Sequence, residues 1–134
     1  MSRFSEKGCF VKENAPIYFT PHMDRTAKWF EDVLGWYGNI VERDSQGRGL
    51  YGCVFDVPPE IEAAGIAAFT GFQLFAGKLI GNEISFMQVQ GIDRLHQYVT
   101  GRGWNKITPV ETRPWGGKVC LITTIDGYTI RIFE

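Results

Sequence analysis

From Asp24 onward, Ala27, Trp29, Phe30, Val33 and Leu34 recur at helical spacing among polar residues. Such spacing gathers the apolar side chains on one face, so it predicts an amphipathic helix, capped by Asp24 or Thr26 and ended by Gly35. Elsewhere the period falls to two. Residues 15 to 20 predict a short opening strand, with Pro16 near its start, where a missing N–H is tolerated. Trp36 to Arg43 and Leu50 to Val57 alternate on either side of the polar turn Asp44-Ser-Gln-Gly-Arg-Gly49, as in an antiparallel hairpin. Gly71 to Phe75 predicts a fourth strand. Between them, residues 58 to 68 carry two prolines and a run of small residues and predict a connecting loop.

After a second glycine-marked join at Ala76 to Glu83, the order repeats. Ile84 to Val89 predicts a strand and Ile92 to Thr100 a helix, closed by Gly101 and Gly103. Strands follow near Trp104 to Thr108, at Lys118 to Thr124 and at Tyr128 to Phe133. The echo has a measurable offset. A glycine-tryptophan pair ends each helix, with Trp36 and Trp104 lying 68 residues apart, and Ile17 and Ile84 of the two opening strands lie 67 apart. A duplicated β-α-β-β-β unit explains both offsets. The predicted class is α+β, a single domain over residues 1–134 built from tandem βαβββ modules at about 15–76 and 83–134. One helix and four strands cannot bury both faces of a sheet. The two curved mixed sheets are therefore expected to pair around a central cleft, with the helices on the outside.

Composition narrows the function. The 134 residues are 44% hydrophobic, enough for a sizeable core, and 14 basic against 15 acidic residues leave a net charge of -1. Without a basic patch, neither nucleic acid nor an anionic membrane is an expected partner. No run reaches the roughly 18 apolar residues that span a bilayer, and the opening Met-Ser-Arg-Phe-Ser-Glu-Lys lacks the apolar core of a secretory signal. A cytoplasmic location is expected. Cys9, Cys53 and Cys120 are widely spaced and form no Cys-x-x-Cys pair, so they predict neutral packing thiols rather than a disulfide framework or a zinc knuckle. Nucleophile elbows, phosphate loops and dinucleotide fingerprints are absent from the sequence.

The helix Asp24-Arg-Thr-Ala-Lys-Trp-Phe-Glu-Asp-Val-Leu-Gly-Trp36 resembles the first-helix signature of the vicinal oxygen chelate superfamily. That superfamily includes glyoxalase I, extradiol dioxygenases and the fosfomycin- and bleomycin-resistance proteins. Pro114-Trp-Gly-Gly117, followed by Ile125-Asp-Gly-Tyr-Thr-Ile-Arg-Ile-Phe-Glu134, is similar to its closing hairpin. The resemblance implies a homodimer and, in metal-using members, a divalent ion held from the first, fourth, fifth and eighth strands. Carried over position by position, those slots fall on Ala15 (or Ile17 in a register shifted by two), Gln73, Ile84 and Arg131. None is a good ligand, and a guanidinium repels a metal. No metal or other cofactor is expected, and no residue is assigned a catalytic role. Glu83 neighbours Ile84, but alternation points it to the opposite face, and a one-residue register change would reverse that. His22, in the bend after the first strand, borders the cleft side; His96 reads as a helix-surface imidazole.

Along the last strand Ile130 and Ile132 are expected to face the helices, leaving Thr129, Arg131 and Phe133 on the cleft side. By the same parity Phe19, Gln73, Phe75, Ile84, Phe86 and Gln88 share that side. Arg131 reads either as a partner of a neighbouring acid or as a clamp for an anionic ligand. Trp36 and Trp104 follow helix-ending glycines and predict core packing, whereas Trp115 sits in a turn that does not need it and reads as cleft rim or partner contact. The ligand-binding candidates are Arg131, Gln73, Phe19, Phe75, Phe86 and Trp115. Three functions stay open. One is a metal-free protein similar to the bleomycin-resistance branch, binding a small amphipathic or anionic molecule in an aromatic cleft. Another is a metal-dependent lyase or dioxygenase with non-standard ligands from Glu83, His22 or a partner chain, and the last is an effector-binding module of a regulatory system.

Overall fold

A computed structural model describes residues 14–57, 70–79 and 81–134, together with Gly8. The join predicted at 58 to 68 and Cys9 lie outside the described residues. Strand β1 (Ile17–Thr20) leads into helix α1 (Met23–Trp29), whose last turn widens to a π-type turn over Phe30–Leu34. Gly35 ends it with a φ of 70°, a left-handed conformation that glycine adopts without strain. Strands β2 (Tyr37–Arg43), β3 (Gly49–Phe55) and β4 (Gly71–Ala76) complete the first unit. The second runs β5 (Glu83–Gln88), α2 (Ile92–Gly101), β6 (Glu111–Thr112), β7 (Lys118–Thr123) and β8 (Thr129–Phe133).

Each unit folds into one mixed sheet of four strands. The orders are β1-β4-β3-β2 and β5-β8-β7-β6, with the first pair in each parallel and the others antiparallel. The duplicated plan read from the two offsets is therefore the architecture. In β3–β4 the strands meet at Gly71, where an added Cβ would sit 1.8 Å from the Val54 carbonyl oxygen. Only glycine lets the backbones approach that closely.

Three local expectations are corrected. The strand predicted at Trp104 to Thr108 is reduced to a single bridge between Ile107 and Ile122, with the regular pairing displaced to Glu111–Thr112. Pro109 lies between them and has no N–H for the ladder. Neither Asp24 nor Thr26 caps α1: the helix begins after His22 without a side-chain cap, Asp24 pairs with Arg43, and Thr26 turns inward. The third correction, in β5, concerns the site.

Both sheets turn one face to a shared core. Tyr18, Val54, Phe72 and Leu74 from the first sheet and Cys120, Ile122, Ile130 and Ile132 from the second meet the apolar stripes of α1 and α2 there. Trp36 and Trp104 belong to this core as expected. Trp36 stacks near Phe72, and Trp104 packs edge-on against Trp29 while its Nε1 donates to the Thr123 carbonyl at 2.9 Å. Where the units join, the wholly buried Asp126 carboxylate accepts hydrogen bonds from Tyr18 (2.5 Å), Thr26 (2.6 Å) and Arg25 (2.8 Å). Burial, and then the bond to Asp126, push the Tyr18 hydroxyl far above the ordinary tyrosine range. This carboxylate ties β1 and α1 of one unit to the β7–β8 turn of the other. No helix among the described residues is long and apolar enough to cross a membrane.

Candidate functional site

The faces turned away from the core carry most of the predicted site residues, on two walls. On the first sheet, alternation places Ile17, Phe19, Gln73 and Phe75 opposite the buried Tyr18, Phe72 and Leu74. Register sets Phe19 beside Phe75 and Phe75 beside Tyr51, with ring centroids 6.2 and 5.1 Å apart. The Tyr51 hydroxyl donates to Gln73 Oε1 at 2.5 Å, which orients the amide. Farther along β3, Phe55 stacks against Tyr37 at 6.1 Å. Tyr51 and the exposed Tyr37 extend this wall, Phe55 is buried with Cys53 and Val57 in a second small cluster, and none of the three rings was singled out from the sequence. The signal was there, because Tyr51, Cys53 and Phe55 alternate in register with Gln73.

The second wall is built on β5 and β8 around Arg131. A bulge in β5 lets two residues pass while β8 advances by one, from the Glu83–Thr129 pair to the Ser85–Ile130 pair. The bulge reverses two expectations. Ile84, expected on the cleft side, packs against the core, and Glu83, expected on the far side, stands with Arg131. Arg131 Nε donates to Glu83 Oε1 at 2.5 Å and Nη2 to Oε2 at 3.3 Å. The guanidinium holds the Glu83 carboxyl below the usual glutamate range. Both side chains reach solvent, at 37% and 46% exposure, so this is an accessible ion pair rather than a buried clamp. Beside it Phe86, 60% exposed, stacks on Phe133 at 4.0 Å with the rings 16° from parallel.

Each wall is knit within its own sheet: no ring contact, hydrogen bond or ion pair joins Phe19, Gln73 or Phe75 to Phe86 or Arg131. The sheet edges do approach one another, since Phe86 lines a shallow cavity with Pro16, Thr70 and Gly71 of the first unit. Trp115 projects from the β6–β7 turn, 77% exposed, with the Arg113 guanidinium 5.5 Å from its ring. His22 lines a separate depression with Pro21, Asp24 and Arg48, and His96 bonds through Nε2 to the Thr108 carbonyl.

The metal-ligand slots do not suit a divalent ion. Ala15 has no donor, Gln73 offers only an amide already bonded to Tyr51, and Arg131 is a cation. Glu83 replaces Ile84 on the cleft side but is engaged by Arg131. Among the described residues, no three of His, Cys, Asp and Glu converge to hold a metal. Cys53 and Cys120 are buried, and burial pushes the Cys120 thiol up to about 11, so it stays neutral.

The bleomycin resistance protein domain matches residues 15–77. A glyoxalase-related enzyme from Clostridium phytofermentans is 52% identical, with 96% of this chain and 98% of that one superposed at a TM-score of 0.89. A bleomycin-binding protein solved with bleomycin superposes over 92% of this chain and 98% of its own, at 15% identity and a TM-score of 0.66. A glyoxalase/bleomycin resistance protein/dioxygenase superfamily member from Sphaerobacter thermophilus does so over 93% and 98%, at 18% identity and a TM-score of 0.67. The last two are likenesses of fold. No curated protein matches.

Proposed function

We propose, from the premise that this chain belongs to the vicinal oxygen chelate superfamily of glyoxalases and bleomycin-resistance proteins, that it binds a small amphipathic molecule and needs no metal to do so. The observation that carries the reading is the aromatic wall of Phe19, Phe75 and Tyr51 with its oriented Gln73 amide. Flat apolar surface with a few placed polar groups suits a small molecule whose rings stack and whose polar end is held in one orientation. Phe86 and Arg131 supply the same combination on the other sheet, and Trp115 lies at the rim. A homodimer is part of the proposal. It sets the first wall of one copy against the second wall of its partner and closes a cleft over the ligand.

Metal-free binding is supported by the residues in the ligand slots, above all the cation of Arg131. The test is a melting curve of chelator-treated protein with nickel, zinc, manganese or ferrous iron added back. A ligand at a hundred times its dissociation constant stabilises by about 2.7 kcal/mol, which moves the midpoint by several degrees. No shift with any metal is expected. A clear rise with one would favour the second reading, a metal-dependent lyase or dioxygenase in which Glu83 leaves Arg131 for the ion. The observation behind that alternative is the relation to a glyoxalase-related enzyme.

A further inference from the structure

We infer that Glu83 sets the charge selectivity of the second wall, so that Arg131 and Glu83 together hold the polar edge of a planar ligand that carries no net negative charge. The inference rests on the binding reading above and names the class of molecule that fits it.

A lone guanidinium beside an aromatic surface selects carboxylates and phosphates. Here the Nε and Nη2 edge is already forked onto Glu83, while Nη1 has no partner among the described residues. An incoming carboxylate at the remaining edge would lie beside the Glu83 carboxylate, and one guanidinium cannot balance both. The rest of the wall does not restore a positive field. Glu111 pairs across from Val119 and shares the row of Phe133 and Gln88. Lys106 borders the other end, lining a depression with Leu121, Thr123 and Thr129. Arg131 is thus balanced by Glu83 beside it, Lys106 and Glu111 lie at opposite ends and Arg113 stands off over Trp115. An anion beside Phe86 therefore meets the Glu83 carboxylate and gains no net local attraction.

A neutral or cationic molecule meets the pair differently. A carbonyl or ring nitrogen accepts from Nη1, and an adjacent N–H or ammonium donates to the open lone pairs of Glu83. Both groups of the ion pair then keep their hydrogen bonds on binding, which avoids leaving either charge unpaired. Phe86 lies directly across from Arg131 in the β5–β8 register, and its exposed ring provides the stacking surface for the flat part of the same ligand. The ligand class is thus a planar heteroaromatic or aromatic amide with donor and acceptor side by side, uncharged or positively charged. As an exposed pair, Glu83 and Arg131 add little to folding, so removing either charge tests recognition without unfolding the chain.

The experiment titrates the 134-residue chain with three planar fluorescent dyes: neutral Nile red, cationic thioflavin T and anionic anilinonaphthalene sulfonate. For the native chain, Nile red and thioflavin T are expected to bind more tightly than the sulfonate. In Glu83→Gln the preference should invert, with sulfonate affinity rising and thioflavin T affinity falling, each by about tenfold, while Nile red stays unchanged. The double variant Glu83→Gln with Arg131→Gln should lose discrimination between the two charged dyes. Undiminished discrimination in Glu83→Gln, with Nile red still bound, would overturn the role of Glu83 and leave the binding reading standing. Binding indifferent to Phe86→Ala would overturn this inference and leave the first wall as the binding surface, whereas failure of Nile red to bind the native chain would overturn the binding reading itself and this inference with it.

Discussion

The two sheets repeat one plan and differ where they meet solvent. In the first, Phe19 lies beside Phe75, and Phe75 beside Tyr51. In the second, Phe86, 67 residues after Phe19, lies beside Arg131, and Arg131 beside Leu121. The opposite faces are alike: Phe72 and Leu74 in β4, Ile130 and Ile132 in β8, all buried against helices in one core. The comparison teaches that the helix-side face maintains the repeated fold, while the other face can exchange a ring for a guanidinium without disturbing it. Stability and recognition are carried on opposite sides of the same strands.

The sharpest way to break that division is inside one strand. Phe72→Ala empties a packed core position and should destabilise by about 3–5 kcal/mol, whereas Phe75→Ala, on the open face, should cost less than half as much. Urea denaturation checks both, and equal losses would show that the two faces are not separable. Asp126→Ala comes next. It strips the acceptor from Tyr18, Thr26 and Arg25 at the junction and should cost about 3 kcal/mol, read from the same curves.

A smaller effect has a pH signature. The Tyr18 hydroxyl is held protonated well above the ordinary tyrosine range, so above about pH 10 the unfolded chain gives up a proton that the folded chain retains. Stability should be fully present below that pH and fall as pH rises past it. In Tyr18→Phe, stability followed against pH should fall less steeply above that point. The smallest stability effect belongs to the open wall. Arg131→Gln should leave the melting temperature close to that of the native chain, because the pair with Glu83 is exposed. The pair itself is acid-sensitive. Arg131 lowers the Glu83 carboxyl below its ordinary value, so the interaction is complete above the ordinary glutamate range and disappears as pH falls through the depressed one. Discrimination between thioflavin T and the sulfonate dye should fade over the same acid interval.

Much of the wall was legible because alternation is a local rule. Buried Tyr18 and Leu74 were enough to put Phe19, Gln73 and Phe75 on the other side, and Ile130 and Ile132 did the same for Arg131. Glu83 was not legible in the same way. Its direction depends on a bulge against β8, and one inserted residue reverses every side chain before it. Asp126 was visible only as half of an Asp-Gly turn. Its partners Tyr18, Thr20 and Thr26 are 100 to 108 residues away in the chain.

By itself the sequence determined the duplicated βαβββ plan, the helical and strand periods and the aromatic character of the open faces. These follow from the spacing of apolar residues and from glycines at helix ends, all of which act over a few neighbours. The tertiary structure alone decided that Arg131 is paired, that its partner is Glu83, and that Asp126 joins the two units. Those outcomes require strands to be placed side by side, and register between strands is set by packing across the whole core.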